Sequence, residues 1–302
     1  MSFIRALGAT LWPRDTNRAT QQIRGDGRYY REMDQAELAA LEHENMVDAM
    51  ALVGSNADGV LVRRADGVAV ISTGLPFLLF NQIIVDGDAT TPAALAAGVG
   101  VMRERGSSFV VNLRVGLDDR LIAVMGQLGL APLSGRPWLP GMALHPLPEE
   151  RSPVAPPGHE IRNVTDRAGL EDHIRTAAAG FELPDALLRA VMVVDLIGHD
   201  AVAVYVGYTE GEPVTTGLAV RSGRTMGVYN IATIASVRGR GYGAAMTRRI
   251  AADGAAAGCD VATLQASEMG HSVYERLGYR TVVEYMGYVE SSSSAHHTVP
   301  AG

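Results

Sequence analysis

The sequence lacks the features that are typical of disulfide-linked, zinc-binding, membrane-spanning and nucleic-acid-binding proteins. A single cysteine, Cys259, excludes an intramolecular disulfide and a cysteine-rich zinc site. No apolar run approaches the roughly 20 residues that a membrane-spanning helix needs. All 26 Lys+Arg positions are arginine, the net charge is −7, and no basic cluster is long enough to indicate nucleic-acid binding. We therefore expect no metal, no nucleic-acid partner and no membrane partner.

Composition and a proline-rich segment near the middle of the chain predict a two-domain cytoplasmic protein. Of the 302 residues, 47% are hydrophobic and 20% are charged, which is typical of a globular chain. The stretch Ile4 to Trp12 has neither the long apolar centre nor the cleavage site of a signal peptide. A proline-rich segment at 148–158 predicts a linker. The predicted organisation is an N-terminal domain at 1–147, the linker, a second domain at 159–290 and a disordered tail at 291–302.

A glycine-rich loop in the second half predicts a phosphate site. An apolar strand at Met226 to Val237 leads into the loop Arg238-Gly239-Arg240-Gly241-Tyr242-Gly243, and a helix begins near Tyr242. Glycines let the backbone turn so that its amides converge, and the helix adds free N–H groups and the positive end of its dipole. A pyrophosphate fits such a loop.

The spacing Arg238-x-x-Gly241-x-Gly243, after Asn230-Ile231-Ala232, resembles the acyl-CoA-binding motif of the GCN5-related N-acetyltransferases. The later strand Val261–Gln265 and the segment Tyr274 to Tyr279 are similar to the family's last two core elements. The resemblance covers about 228–280, with weaker similarity back to Glu160. It implies an α/β (α+β) fold of two such domains, each a mixed, mostly antiparallel twisted sheet flanked by helices. It also implies an acyltransferase that moves an acetyl group from acetyl-CoA, its co-substrate, to a primary amine.

The resemblance also assigns roles to individual residues. The strand before the loop would hold the pantetheine, and a backbone N–H there would polarise the acyl carbonyl. The loop amides would bind the pyrophosphate, with Arg238 and Arg240 adding charge. Tyr274 would protonate the departing thiolate, and Ser267 stands where many relatives carry a cofactor-contacting asparagine. The predicted cofactor-binding residues are Ile231, Ala232, Thr233, Arg238, Gly239, Arg240, Gly241, Tyr242, Gly243, Ala244 and Ser267.

The sequence offers no clear general base. Some relatives use a glutamate in the strand before Ser267, but this chain has Ala262-Thr263-Leu264-Gln265 there. Glu268 and His271 are nearby candidates, and a water relay to the bulk or an acceptor that is already neutral is equally compatible with the sequence. Phe181, Leu183 and Tyr229 are the expected contacts of the acceptor, a small molecule or a peptide.

The two halves share a faint internal repeat. Asn81 and Asn230 are 149 positions apart, and Leu128-Gly129 and Leu277-Gly278 recur at the same offset. At that offset the glycine loop falls on a segment with no glycine and with Pro92, which lacks an amide N–H. We therefore expect a degenerate N-terminal copy that has lost its CoA site.

Two other functions stay open at the level of sequence. The missing base is compatible with a non-catalytic acyl-CoA sensor or scaffold. The spacing Gly239-x-Gly241-x-x-Ala244 also satisfies the loose fingerprint of dinucleotide-binding oxidoreductases, although too little chain follows it for a doubly wound sheet. The acceptor, the acyl-chain length and the oligomeric state are left open.

Overall fold

The structure, a computed structural model, describes residues 21–23, 29–57, 59–148 and 155–291. Ile4 to Trp12, the linker residues 149–154 and the tail residues 292–302 lie outside the described part. The chain divides into two compact units, Met1–Asp34 and Gln35–Gly302. The first contains an antiparallel hairpin of β1 (Gln21–Ile23) and β2 (Tyr29–Arg31).

All other elements belong to the second unit. Its helices are α1 (Gln35–Gly54), α2 (Pro92–Glu104), α3 (Ile122–Gln127), α4 (Arg167–Phe181), α5 (Asp185–Val191), α6 (Tyr242–Ala256) and α7 (Glu268–Arg276). Its strands are β3 (Leu61–Ala65), β4 (Val68–Ser72), β5 (Asn81–Val85), β6 (Val110–Arg114), β7 (Leu130–Pro132), β8 (Leu139–Leu144), β9 (His159–Asn163), β10 (Val202–Thr209), β11 (Glu212–Ser222), β12 (Thr225–Thr233), β13 (Val261–Gln265) and β14 (Arg280–Glu290).

The described strands of this unit form one twelve-stranded sheet. Its order is β3-β4-β5-β6-β14-β8-β13-β12-β11-β10-β9, with β7 paired to β14. Two ladders, β5 with β6 and β12 with β13, are parallel, and the others are antiparallel. The mixed, mostly antiparallel sheet with flanking helices confirms the predicted fold class.

The two halves exchange their last strands. β8, the last strand of the first half, pairs with β13 of the second half, and β14, the last strand of the chain, pairs with β6 of the first. β8 and β14 also pair with each other. The element order hairpin, strand, helix, parallel strand, short helix and final strand therefore occurs twice around a centre between β14 and β8.

Burial along the strands follows from their position in the sheet. β4, β5 and β6 are buried at every residue, and their near-continuous apolar sequences are typical of strands covered on both faces. The end strands β3 and β9 are largely exposed. Their polar residues, such as Arg63, Arg64 and Arg162, discourage pairing with other chains.

Helices cover both faces of the second half. Met246 and Ile250 of α6 pack on one face in a cluster with Ala219, Val228 and Leu264. On the other face α1 and α4 share a cluster in which Ala49 and Ile174 take part. No described helix has the length and apolarity needed to cross a bilayer.

One predicted strand and one part of the predicted repeat differ from the structure. The strand expected at Met226 to Val237 ends at Thr233, because Ala235–Val237 form a 3-10 turn before the glycine loop. Leu128 and Leu277 both cap short helices ahead of a positive-φ glycine, so they are equivalent. The asparagines are not equivalent, because Asn81 is the first residue of β5 whereas Asn230 is the sixth residue of β12.

Gly227 allows α1 to pack against the sheet. A Cβ there would lie well inside contact distance of Asn45 Oδ1 and the Tyr229 ring. We expect Gly227→Ala to lower the free energy of unfolding by about 1–3 kcal/mol, since the added methyl group overpacks a buried contact. The matched control is Gly100→Ala in α2, where nothing lies within 4 Å. Urea unfolding followed by circular dichroism gives both values, and an unchanged midpoint for Gly227→Ala would contradict this packing.

Candidate functional site

The parallel strands β12 and β13 separate to form a fork. Their ladder has three pairs and ends where Gly227 pairs with Thr263. β12 then continues to Thr233 along β11, while β13 continues to Gln265 along β8. Beyond Gly227 the edge of β12 that faces β13 therefore presents its backbone groups to the fork. The predicted pantetheine residues Ile231, Ala232 and Thr233 lie on this stretch.

A β-bulge at Asn230 shapes this stretch of β12. Leu218 pairs with Tyr229 and Thr216 with Ala232, so β12 has one residue more than β11 across this interval. Asn230 takes up the extra residue with φ 54°, a left-handed conformation that asparagine tolerates. The Thr216 hydroxyl donates to the Asn230 carbonyl at 2.9 Å. β12 therefore carries a β-bulge directly before the predicted pantetheine residues.

A buried histidine, which the sequence did not single out, holds the bulge in place. His173 Nδ1 lies 3.0 Å from the Tyr205 carbonyl, which can only accept, so Nδ1 carries the proton. Nε2 then accepts from the Asn230 side-chain amide at 3.3 Å. Burial lowers the pKa of His173 to about 4, so the ring is neutral at pH 7. Its only sequence signal is a polar residue on the apolar face of a helix.

The glycine loop forms an open helix N-terminus. Gly239 and Gly241 have φ values of 78° and 87°, which L-residues rarely adopt. The first helical hydrogen bond of α6 runs from Ala245 N–H to the Gly241 carbonyl at 2.9 Å. The N–H groups of residues 242–244 therefore have no acceptor within the helix.

Three other described helices fill this position with a side chain. Thr91, Asp166 and Ser267 each accept a hydrogen bond from the first turn of α2, α4 and α7, respectively. Gly241, at the equivalent position of α6, has no side chain to do so. The Tyr242 ring, 4.6 Å from His159, anchors this first turn. An anion at this end would satisfy the open amides and the helix dipole.

The two arginines of the loop have different surroundings. Arg238 donates to the carbonyls of Gly180 at 2.6 Å and Thr233 at 3.2 Å, and so ties the end of α4 to the end of β12. Its guanidinium is thus held by the protein, and its contribution to anion binding stays a prediction. Arg240 is exposed beside Gly239 and Gly241.

Tyr274 lies half-buried on the face of the sheet covered by α6. Its ring packs against the core cluster of that face and meets the Tyr279 ring edge-on at 6.1 Å. Burial raises the pKa of Tyr274 to about 12. The phenol is therefore a firmly protonated hydrogen-bond donor at neutral pH.

The polar residues after β13 have structural partners. Ser267 caps α7 by accepting from Gly270 N–H at 3.2 Å. Glu268 is exposed and forms an ion pair with Arg136 at 2.9 Å. His271 Nε2 lies 3.1 Å from the Thr281 hydroxyl. In the described ranges, no group of three or more His, Cys, Asp or Glu side chains is arranged to hold a metal ion.

Comparisons with known proteins agree with this geometry. Residues 200–281 match the profile of the acetyltransferase (GNAT) domain. A GCN5-related N-acetyltransferase from Kribbella flavida is similar in fold, with a TM-score of 0.62 and 17% identity over 83% of this chain and 95% of that one. A tandem GNAT protein from the clavulanic acid biosynthesis pathway gives a TM-score of 0.51 and 12% identity, over 85% and 96%. A GCN5-related N-acetyltransferase from Sphaerobacter thermophilus gives 0.53 and 14%, over 77% and 82%. No curated protein matches the sequence significantly.

The fork between parallel strands and the open helix N-terminus both lie in the part of the chain that matches the acetyltransferase (GNAT) domain, which is an acyltransferase domain. Residues 200–281 therefore carry an acetyltransferase (GNAT) domain, the domain that the glycine loop and the strands around it resemble in sequence.

The lowered pKa of His173 predicts a pH-dependent contribution to stability. Between the ordinary pKa of 6.5 and the folded value of about 4, the unfolded chain binds a proton that the folded chain does not. Stability is therefore lost as the pH falls through this window. We expect His173→Leu to be less stable than the wild type at pH 7.5, and this difference to shrink by about 2 kcal/mol at pH 5. Urea unfolding at both pH values measures it; a constant difference would contradict a neutral His173.

Proposed function

We propose that the second half transfers an acetyl group from acetyl-CoA to a primary amine by direct attack in a ternary complex. The observation that carries the proposal is the glycine-capped, open N-terminus of α6 at the end of the strand that borders the fork. The helix N-terminus would bind phosphate, and the fork exposes the backbone of β12. The two features lie in the order in which pyrophosphate and pantetheine follow each other in coenzyme A. The acyltransferase class itself follows from the acetyltransferase (GNAT) domain at 200–281.

The proposed site residues divide into three groups. The amides of residues 239–244 would bind the pyrophosphate, with Arg240 at the rim. The backbone of Ile231, Ala232 and Thr233 would hold the pantetheine and polarise the acyl carbonyl, an arrangement that the bulge at Asn230 supports. Tyr274 and Ser267, on the α7 side of β13, would face the thioester end.

Direct attack is favoured over a covalent acyl-enzyme. Cys259 is buried, and burial raises the pKa of its thiol, so it is a poor nucleophile. It precedes β13, whereas the fork opens past Thr263 toward Gln265, about 20 Å away along an extended chain at 3.3 Å per residue. The amine nitrogen would bond to the acyl carbon, the carbon–sulfur bond would break with loss of the thiolate, and the nitrogen would lose one proton to solvent water.

The phenol of Tyr274 would assist the departing thiolate as a hydrogen-bond donor. Its pKa of about 12 lies above that of an ordinary thiol, about 8.5, so complete proton transfer would be uphill by about 5 kcal/mol. A hydrogen bond to sulfur that strengthens as charge develops requires no such transfer. This role differs from full protonation of the thiolate, which is the role that the resemblance implies for Tyr274.

The acceptor would approach from the face covered by α1 and α4. Phe181, Leu183 and Tyr229 pack there against one cluster, together with Leu75 and Phe80 of the first half. These half-buried rings and aliphatic chains would contact an apolar part of a small-molecule or peptide amine.

We also propose that the first half is a copy without a CoA site, which would make 1–147 and 159–290 two related domains. β5 ends at Val85, one residue beyond its last pair with β6, so it has no counterpart of the six-residue extension of β12. Asp86 and Asp88 follow, and Thr91 caps α2 through Ala94 N–H. The negative charge of these carboxylates opposes phosphate binding, and so does a helix N-terminus whose N–H is already bonded to a side chain.

The alternatives differ in how well the fold supports them. The dinucleotide fingerprint requires a doubly wound parallel sheet, and here β12 has an antiparallel neighbour, β11, on one side. A non-catalytic acyl-CoA sensor would share the same phosphate site. Release of CoA from acetyl-CoA with polyamines, aminoglycosides, amino acids or peptides separates an enzyme from a sensor.

Gly241 provides the sharpest test of the phosphate site. We expect Gly241→Ala to weaken acetyl-CoA binding at least about tenfold, because a residue with a Cβ resists φ 87° and displaces the loop amides. The matched control is Gly258→Ala at the other end of α6, where φ is 82° and nothing lies within 4 Å. Isothermal titration with acetyl-CoA measures both. Equal affinities for the two variants would contradict a phosphate site at Gly241.

Tyr274→Phe tests the assistance to the leaving group. We expect kcat to fall about 10- to 100-fold while the acetyl-CoA Kd changes little, because the lost hydrogen bond forms mainly in the transition state. Tyr279→Phe is the control, since its buried hydroxyl has no partner within the described part of the chain. Steady-state CoA release with an amine that the wild type acetylates gives kcat, and an equal loss in both variants would assign Tyr274 to packing.

A further inference from the structure

Helix α1 of the first half covers the fork of the second. Two of its polar side chains, Glu42 and Asn45, are one turn apart, and both are completely buried. Each meets the sheet at a glycine. A Cβ on Gly141 of β8 would lie 2.5 Å from Glu42 Cδ, and a Cβ on Gly227 of β12 would overlap Asn45. The sheet is thus shaped to admit two polar groups where an apolar contact would be the ordinary choice.

Glu42 is held by donors from two strands. Gln265 Nε2 donates to its Oε1 at 2.5 Å, and the Tyr285 hydroxyl donates to its Oε2 at 2.7 Å. The titratable groups around it are Tyr285 of β14, Tyr229 of β12 and His43 of α1, which lies 2.9 Å from the Tyr285 hydroxyl.

Burial sets the charge state of this cluster. It raises the pKa of Glu42 to about 7, although both hydrogen bonds oppose the shift. His43 has its pKa lowered to about 4 by burial and by Arg114 of β6, so it stays neutral. Glu42 is therefore the group of this cluster that changes charge near neutral pH.

Gln265 stands at the fork itself. Gln265 and Tyr229 lie two residues beyond the last pair of the β12–β13 ladder, on the face covered by α1. The Tyr229 hydroxyl donates to Asn45 Oδ1 at 2.6 Å, and Thr263 lies 3.3 Å from the same atom. Gln265 is partly exposed, and its Nε2 is occupied by Glu42. Its side-chain oxygen is consequently the end of the amide turned away from Glu42.

We propose that Gln265 binds an N–H of the acceptor amine through its side-chain oxygen, and that Glu42 is the positioning residue that keeps the amide in this orientation. This inference rests on the proposed acetyl transfer. An ionised carboxylate only accepts hydrogen bonds, so it fixes the NH₂ end of Gln265 toward itself. The oxygen then lies at the fork, where an amine nitrogen must attack the thioester.

Protonation of Glu42 would undo this arrangement. A protonated carboxyl can donate to the Gln265 oxygen, and the amide can then rotate to present its NH₂ group to the fork. An NH₂ group offers no acceptor to an amine or ammonium. Amine binding should therefore weaken as the pH falls through about 7, the pKa of Glu42.

The test uses the full chain, acetyl-CoA and an amine that the wild type acetylates. The KM for the amine is measured from pH 6 to 8.5 in the wild type, Glu42→Gln and the control Glu44→Gln, which makes the same change at an exposed residue of α1. We expect Glu42→Gln to raise the KM at least about fivefold at pH 8, to remove the step near pH 7 and to leave the acetyl-CoA Kd unchanged. The wild type and Glu44→Gln, measured with the same amine, correct for the titration of the amine itself.

Two further variants separate positioning from packing. Glu42→Gln combined with Gln265→Glu restores a carboxylate and amide pair with the carboxylate at the fork, and we expect it to recover the KM. Gln265→Leu changes only a partly exposed strand end, so it carries the test if Glu42→Gln does not fold, and it should raise the KM and remove the pH step. An unchanged KM and pH step in Gln265→Leu would overturn the inference. Failure of the wild type to release CoA with any amine would instead overturn the proposed function.

Discussion

The separation of β12 and β13 depends on the partner that each strand keeps beyond Gly227. β12 stays paired with β11, and the bulge at Asn230 increases its local twist. β13 stays paired with β8, which the first half supplies. The two strands diverge because their outer ladders hold them apart. The proposed phosphate and acyl positions both follow from this divergence, since it exposes the β12 backbone and places the start of α6 at its end.

The exchange of last strands makes the second half dependent on the first. Without β8, β13 would have an unpaired edge, and without α1 the fork would lose the buried polar groups that cover it. Buried ionisable groups contribute less to stability than well-packed apolar residues of similar volume. Their presence beneath the fork, admitted by glycines at 141 and 227, is therefore easier to explain by function than by packing. Even without a CoA site of its own, the first half would be needed to supply β8 and α1 to the second.

Local signals account for what the sequence predicted correctly. The glycine loop and the start of α6 at Tyr242 depend on residues close together in the chain, so periodicity and turn chemistry were sufficient. The strand expected to reach Val237 ended early because a 3-10 turn needs no distinctive sequence. The asparagine repeat was misleading: Asn81 is buried and bonds the Leu75 carbonyl at 2.8 Å, whereas Asn230 forms a bulge.

Long-range pairing determined what the sequence could not predict. Glu42 and Gln265 are 223 positions apart, and His173 and Asn230 are 57 apart, so no local pattern links them. Glu268 and His271, the two candidate bases near Ser267 in sequence, instead form an ion pair with Arg136 and a contact with Thr281. The strand exchange, which the element order alone does not reveal, brings a carboxylate from the other half to Gln265.

The loop after β5 illustrates how the same fold position can acquire a structural function. Asp86 accepts from Arg64, and Asp88 lies 3.5 Å from Arg114, whose guanidinium is also paired with the buried Asp118. Arg114 lies beside Tyr285 in the β6–β14 ladder, so these charges stabilise the pairing between the two halves. Carboxylates at this position would oppose the binding of an external anion at the start of α2. In the second half the corresponding loop has glycines instead of carboxylates, and its amides stay open to a ligand.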